Sequence, residues 1–295
     1  MRQFQFKITK DYDGFDIKRV LKDYFGMSER LIINLKKSNG IQLNGVCEFV
    51  IKTVREGDLL EISLPDAPSE NIIPNDIPLD ILYEDEDILA VNKPAGMPTH
   101  PSIRHFEGTL ANAVCFYFRN TPFTFRAITR LDRYTSGVVL IAKNALSAHL
   151  LSQSMRRGEI HKKYAAVCVG TPCPSCGTIS APIKRETDGI IKRCIAPDGK
   201  PAISDYETVE TYGNLSLVRL FPRTGRTHQL RLHLAHIGTP IYGDFLYGHE
   251  IPRERTRLHC LSVTLPHPFS RKPVTISAPL PDDMALTSIR QDISL

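Results

Sequence analysis

Apolar positions near the start of the chain recur at helical spacing. Ile17, Leu21 and Tyr24 fall on one face with Lys18, Arg19 and Lys22 between them, which predicts a short helix. Ser28 stands where an N-cap is needed, and Leu31, Ile32 and Leu35 repeat on one side of a second helix. Its last turn carries Lys36 and Lys37, cations that complement the helix dipole, and Asn39-Gly40 ends it. The spacing then shortens to that of strands: Ile41 and Leu43, the turn pair Asn44-Gly45, and Leu59 to Leu64 after Gly57-Asp58. These signals predict a small helical and β unit over residues 1–65.

Residues 66–78, DAPSENIIPNDIP, set prolines among acidic and polar residues with no apolar period, the composition of a linker. From residue 79 to 295 the texture becomes short apolar runs separated by turns: Ile88 to Val91, Val138 to Ala142, Ala165 to Val169 and Leu217 to Leu220. One helical stretch, Ala145 to Met155, places Leu146, His149 and Leu150 on one side. Strands outnumber helices and do not alternate regularly with them, so the pattern predicts an α+β domain rather than a doubly wound sheet.

Composition adds modest constraints. A chain of 295 residues with 42% apolar and 23% charged residues supports packed cores and a soluble surface. A net charge of +5 and pI near 8.8 lean towards a polyanionic partner. Because Trp is absent, a base-stacking surface must come from Tyr, Phe, His or Arg. No secretory signal opens the chain, and no apolar run approaches the roughly 18 residues of a membrane span. The seven scattered cysteines suit reduced thiols. Together these predict a cytoplasmic protein without membrane association.

The segment richest in chemistry is Arg130-Leu131-Asp132-Arg133-Tyr134-Thr135-Ser136-Gly137, leading into the run Val138 to Ala142. An Asp between arginines just before a buried strand can be held ionised as nucleophile or base. In an arbitrary protein the same pattern is more often a structural ion pair. Here the motif R-L-D-R-x-T-S-G resembles the central motif of the RluA-type pseudouridine synthases, although the His that often precedes it is replaced by Thr129. Three further segments resemble that family in the expected order. They are LYEDEDILAVNKPAGMPTHP at 82–101, Lys162-Lys163-Tyr164 before its strand, and RTGRTHQLRLHLAHIGTPIYGD at 223–244. The first 65 residues resemble the small RNA-binding module named for a small-subunit ribosomal protein.

The resemblance implies an RNA pseudouridine synthase whose catalytic domain is a mixed, mostly antiparallel sheet. It implies Asp132 as the essential carboxylate, Tyr164 as the ring that stacks on the target base, and Arg231 as the partner of Asp132. The turn Lys93-Pro94-Ala95-Gly96 would buttress the catalytic loop. Arg130, Arg226, His228 and Leu258 are expected to contact RNA in the catalytic domain, and Lys18, Arg19, Lys36 and Lys37 in the module. The reaction needs no cofactor and no metal. The partner is RNA, with large-subunit ribosomal RNA favoured over tRNA, and the expected state is a monomer.

Local spacing supports part of this. Leu230, Leu234 and Ile237 predict an amphipathic helix over 227–237 that ends at Gly238 and sets Arg231 beside the buried stripe. Rival readings remain in view. His228, His233 and His236 suggest zinc, but on a helix the first two lie about 140° apart and the latter two lack a third ligand. Cys173-Pro174-Ser175-Cys176 has ligand spacing, with only Cys168 and Cys194 as distant partners. Ser136 lacks the flanking glycines of a nucleophile elbow. A non-catalytic RNA-binding protein on a synthase fold, and a nucleoside or glycoside hydrolase, are the competing functional classes. The hydrolases commonly need a second carboxylate, which no motif places beside Asp132.

Overall fold

The computed structural model describes residues 2–69, 71–102, 106–187, 191–248, 251 and 254–289. The chain opens with strand β1 (Arg2–Lys7), followed by helices α1 (Ile17–Asp23) and α2 (Glu29–Lys37) and strands β2 (Ile41–Leu43), β3 (Val46–Cys47) and β4 (Leu59–Leu64). The Asp16 carboxylate accepts the Arg19 N–H at 2.7 Å and caps α1, and the Ser28 hydroxyl accepts the Leu31 N–H to cap α2. Asn44 and Gly45 both have positive φ, as the two-residue turn joining β2 to β3 requires. These strands form an antiparallel sheet in the order β1-β4-β2-β3. Of the apolar stripes read from sequence, Ile17, Leu21, Leu31, Ile32 and Leu35 are buried against it together with Leu60 and Ile62, whereas Tyr24 falls just past α1 and is half exposed, its ring stacked on Phe6.

Strands β5 (Ile81–Glu84), β6 (Ile88–Lys93), β7 (Ser136–Ala142), β8 (His161–Val169), β9 (Cys176–Ser180), β12 (Ile203–Tyr212), β13 (Leu215–Pro222), β14 (Leu258–Pro266) and β15 (Pro273–Ser277) build one nine-stranded sheet. A separate hairpin pairs β10 (Ile183–Arg185) with β11 (Arg193–Ile195). The large sheet runs β5-β6-β7-β14-β8-β13-β12-β9, with β15 on β14. Its pairings are antiparallel except where β14 runs parallel to β7 at Ser136 and Gly137. A side chain on Gly137 would collide with the Cys260 backbone, so only glycine allows β7 and β14 to meet there. Helices α3 (Leu110–Tyr117), α4 (Ala145–Arg156) and α5 (Gln229–His236) complete the elements, and the core gathers on β6, β7, β8 and β14.

Two of the predicted helices behave differently from their sequence patterns. α5 is not amphipathic, because Gln229, Leu230, Arg231, Leu232, His233 and Leu234 are all buried. Its polar side chains are satisfied internally: Gln229 donates to the Ser204 hydroxyl and the Ile203 carbonyl, and His233 lies within hydrogen-bond distance of Ser204 and the Ala181 carbonyl. The stripe on α4 buries Leu146 not in the large core but among the side chains of the N-terminal sheet and helices. Arg2 meets Asp87 at 3.2 Å and Phe4 packs on Phe269 with ring centroids 4.8 Å apart, so the two sheets are joined by polar and apolar contacts.

Candidate active site

Asp132 lies in the loop before β7, and its position is set by its neighbours in sequence and by one buried lysine. Lys93 is fully buried, and its ammonium donates to the carbonyls of Pro94 at 2.8 Å and Met97 at 2.7 Å, with Arg133 O at 3.3 Å. Gly96 N–H donates to the same Arg133 carbonyl at 2.8 Å, and Arg133 Nε returns a bond to the Gly96 carbonyl at 2.9 Å. On the other side of Asp132, the Thr99 hydroxyl donates to the Leu131 carbonyl at 2.9 Å. Residues 93–99 therefore clamp residues 131–133 from both sides. Burial drives the Lys93 ammonium down to about 7 against the pull of Asp132, with Arg255 lowering it further.

The carboxylate faces an open cleft of about 760 Å³. Among the described residues Asp132 is the only acid lining it, while Arg130, Arg156, Lys162, Arg223, Arg226 and Arg231 all do. Such a surface attracts a polyanionic strand and directs it past one carboxylate. The family resemblance brought Arg130, Asp132, Tyr164, Arg226, His228, Arg231 and Leu258 forward as site residues, and all seven line this cleft. Arg156 and His161 line it too and were not singled out by sequence, and so do Lys162 and Arg223, which stood in the quoted motifs without an assigned role. Basic residues at strand and helix ends carry no pattern that points into a common cavity.

Tyr164, on β8, is flanked by Cys260 of β14 and Leu220 of β13. Burial raises its hydroxyl well above the ordinary tyrosine value, with further increases from Cys260 and Asp132, so the ring is a neutral face at physiological pH. Leu258 provides an apolar wall at the start of β14. Arg226 is exposed, with its Nε bonded to the Pro201 carbonyl at 3.1 Å.

Two side-chain nitrogens approach Asp132 from α5 and the residue that precedes it. Arg231 Nη1 is 3.5 Å and His228 Nε2 3.8 Å from its Oδ2. The expected Arg231–Asp132 pair is thus present, but it is the weaker of two. Arg231 Nε and Nη2 donate to both oxygens of buried Asp244 at 2.7 and 2.6 Å. Asp244 was missed as a partner although it closes the quoted segment 223–244, because nothing in spacing says that a residue 13 positions downstream folds back onto the helix.

In the N-terminal unit, Lys18 pairs with Glu29 at 3.2 Å and Arg19 with Asp23 at 3.3 Å. Lys36 and Lys37 have no ion pair among the described residues. The zinc constellation weighed from sequence is dispersed, since His233 is held in the core and His236 is exposed. Among the described residues, Asp85, Asp87 and His267 form the one cluster with closely spaced ligand atoms. Tyr83, Arg2, Asn144 and backbone N–H groups already occupy them.

A carboxylate paired with an arginine shares a cationic cleft with a buried tyrosine, an arrangement suited to a polyanionic ligand. The family described as RNA pseudouridylate synthase matches residues 87–236. An uncharacterized RNA pseudouridine synthase, YjbO of Bacillus subtilis, is 38% identical over 90% of this chain and 96% of its own. Ribosomal large subunit pseudouridine synthase D of Escherichia coli K12 is 34% identical over 93% of this chain and 85% of its own. Among solved structures, human RNA pseudouridylate synthase domain containing 1 superposes with a TM-score of 0.59 at 30% identity, covering 68% of this chain and 83% of that one. The chain belongs to the RNA pseudouridylate synthase family. It is an RNA pseudouridine synthase, an isomerase acting on uridine in RNA.

Proposed function

We propose that Asp132 is the catalytic carboxylate and that the substrate is large-subunit ribosomal RNA. The observation that carries the first part is the placement of Asp132 as the sole acid among the described residues lining the cleft, near Arg231 and His228 and in the same cavity as Tyr164. The reaction breaks the N1–C1′ bond of uridine, turns the uracil, forms a C5–C1′ bond, and exchanges the C5 proton for one on N1. Atoms balance without any co-reactant. The target base must leave its stack, at a cost of a few kcal/mol. Tyr164 offers a neutral aromatic face and Leu258 an apolar wall to the flipped uracil. Arg130 and Arg226 at the cleft rim hold phosphates, where cations supply affinity without sequence information. Arg231, anchored by Asp244, orients the carboxylate through a charge-assisted contact.

The RNA target rests on the likeness, over most of the chain, to relatives named for the ribosomal large subunit, at 34% identity. A basic N-terminal unit with unpaired Lys36 and Lys37 supplies a second contact to a folded RNA. The protein acts in the cytoplasm as a monomer. No helix among the described residues is long and apolar enough to cross a membrane.

The test is tritium release from ribosomal RNA and tRNA transcripts labelled at uridine C5. Wild-type protein is expected to release tritium from the ribosomal transcript, and Asp132→Asn to release none while still binding. Turnover near the wild-type rate in Asp132→Asn would remove Asp132 from the chemistry. Release from tRNA alone would overturn the ribosomal target and leave the carboxylate in place.

A further inference from the structure

The cleft contains a histidine whose two ring nitrogens face different partners. His228 precedes α5 in a left-handed backbone conformation, with φ of 57°, and is 8% exposed. Its Nδ1 lies 2.9 Å from the Tyr247 hydroxyl. That hydroxyl already accepts the backbone N–H of Arg193 at 2.8 Å. Among the described residues His228 Nδ1 is the one acceptor within hydrogen-bond distance of the Tyr247 hydroxyl, so the single phenolic proton is satisfied by donation to Nδ1. A neutral imidazole that accepts at Nδ1 carries its own proton on Nε2. Nε2 is the nitrogen nearest Asp132, at 3.8 Å from Oδ2.

We propose that Tyr247 locks His228 as its Nε2–H tautomer, so that His228 presents a neutral N–H donor to Asp132 instead of serving as a proton acceptor. Both are positioning residues acting through the carboxylate, and the proposal rests on Asp132 as the catalytic group. The tautomer matters because the alternatives do different things. A ring protonated on Nδ1 would turn a lone pair towards the carboxylate oxygens and repel them. An imidazolium would hold Asp132 in a full ion pair and lower its reactivity.

The groups facing the ring favour the neutral form. Burial has the largest effect and lowers the imidazole below its ordinary value. Asp132 and Asp244 oppose it, while Arg231 and Arg193 on β11 add to it. The 3.8 Å gap is longer than a hydrogen bond, as catalytic contacts often are before substrate closes them. One turn serves both partners of Asp132. Asp244 Oδ1 accepts the N–H groups of Leu246 and Tyr247 at 3.0 and 3.2 Å. Asp244 holds Arg231, and Tyr247, three residues on, holds His228. The segment 244–247 thus fixes both donors from behind.

Two measurements test this. In protein labelled with ¹⁵N-histidine at pH 7, two-bond ¹H–¹⁵N spectra should show His228 with Nε2 protonated and Nδ1 bare, assigned by its loss in His228→Gln. Tyr247→Phe should convert that pattern to a mixture of tautomers. An Nδ1–H ring or an imidazolium in the wild-type protein would overturn the proposal. This readout needs no substrate, so it stands or falls separately from the role of Asp132. In the tritium assay, His228→Gln, whose amide N–H falls near Nε2, should lose no more than about tenfold in kcat. His228→Ala should lose on the order of a hundredfold. His228→Gln should also keep the shape of the wild-type pH profile. Equal loss in both variants at unchanged RNA affinity, or disappearance of one limb of the profile in His228→Gln, would make His228 a proton acceptor and sink the idea.

Discussion

A guanidinium between two carboxylates must divide its donors, and at Arg231 the division is unequal. Its two shortest contacts go to Asp244, which is fully buried, and the longer one to Asp132, which borders the cleft. A buried arginine needs a compensating charge whether or not substrate is present, and Asp244 provides it. Asp132 is left with the longer contact and faces the cleft. A second buried residue close to this loop is His259, which has no exposed surface and shares a hydrogen bond of 2.8 Å with the Ser136 hydroxyl. Burial first, and then Arg255, lower its imidazole from the ordinary 6.5 to about 4, against the carbonyls of Ala278 and Pro279 and the charge of Asp283. Its folded-state value is depressed, so its stabilisation is complete above 6.5 and is lost as pH falls towards 4. The stability gap between wild type and His259→Asn, from urea unfolding, should narrow between pH 7.5 and 4.5 by at most about 3 kcal/mol. A gap that widens on acidification would contradict the assignment.

Among the elements, α4 has an unexpected part. Its cap, Asn144, accepts the Ser147 N–H at 2.8 Å and donates to Asp87 at 2.8 Å, so the start of the helix is tied to the turn before β6. Asp87 in turn binds Arg2 of β1. The helix belongs by sequence to the large sheet but buries Leu146 in the smaller core, with Ala145 and Leu150 packed beside it. Leu146→Ala should therefore destabilise the N-terminal unit by about 2–5 kcal/mol through the cavity it leaves. Hydrogen exchange would detect this as faster exchange across β1–β4, with β12 and β13 unchanged. Equal acceleration in both sheets would show that α4 serves the large core instead. The apolar spacing of α4 was legible in the sequence, but the core its stripe enters was not. A period of 3.6 marks a buried face without saying what covers it.

At the scale of the whole molecule, the N-terminal helices and the cleft offer two basic surfaces on one chain. If both contact the same RNA, each phosphate contact contributes to the salt dependence of binding. Replacing Lys36 and Lys37 together by alanine should lower the slope of log K against log salt by about 1.5, whereas Asp132→Asn should leave it unchanged. Filter binding at several salt concentrations checks this, and an unaltered slope would exclude the two lysines from the interface. Family resemblance picked out the segments around Asp132, Tyr164 and Arg231, and the sequence by itself determined the helical spacing of α1 and α2, the Ser28 cap of α2, the Asn44-Gly45 hairpin and the strands that became β6, β7, β8 and β13. Those features are local, set by spacing, turn chemistry and order along the chain. Only the tertiary structure decided that α5 is buried all round, that Arg231 leans chiefly on Asp244, and that Tyr247 stands behind His228. It also decided that Arg156, His161, Lys162 and Arg223 share one cleft. Each of these depends on which distant backbones are brought together, and charge or polarity at a single position does not encode its partner.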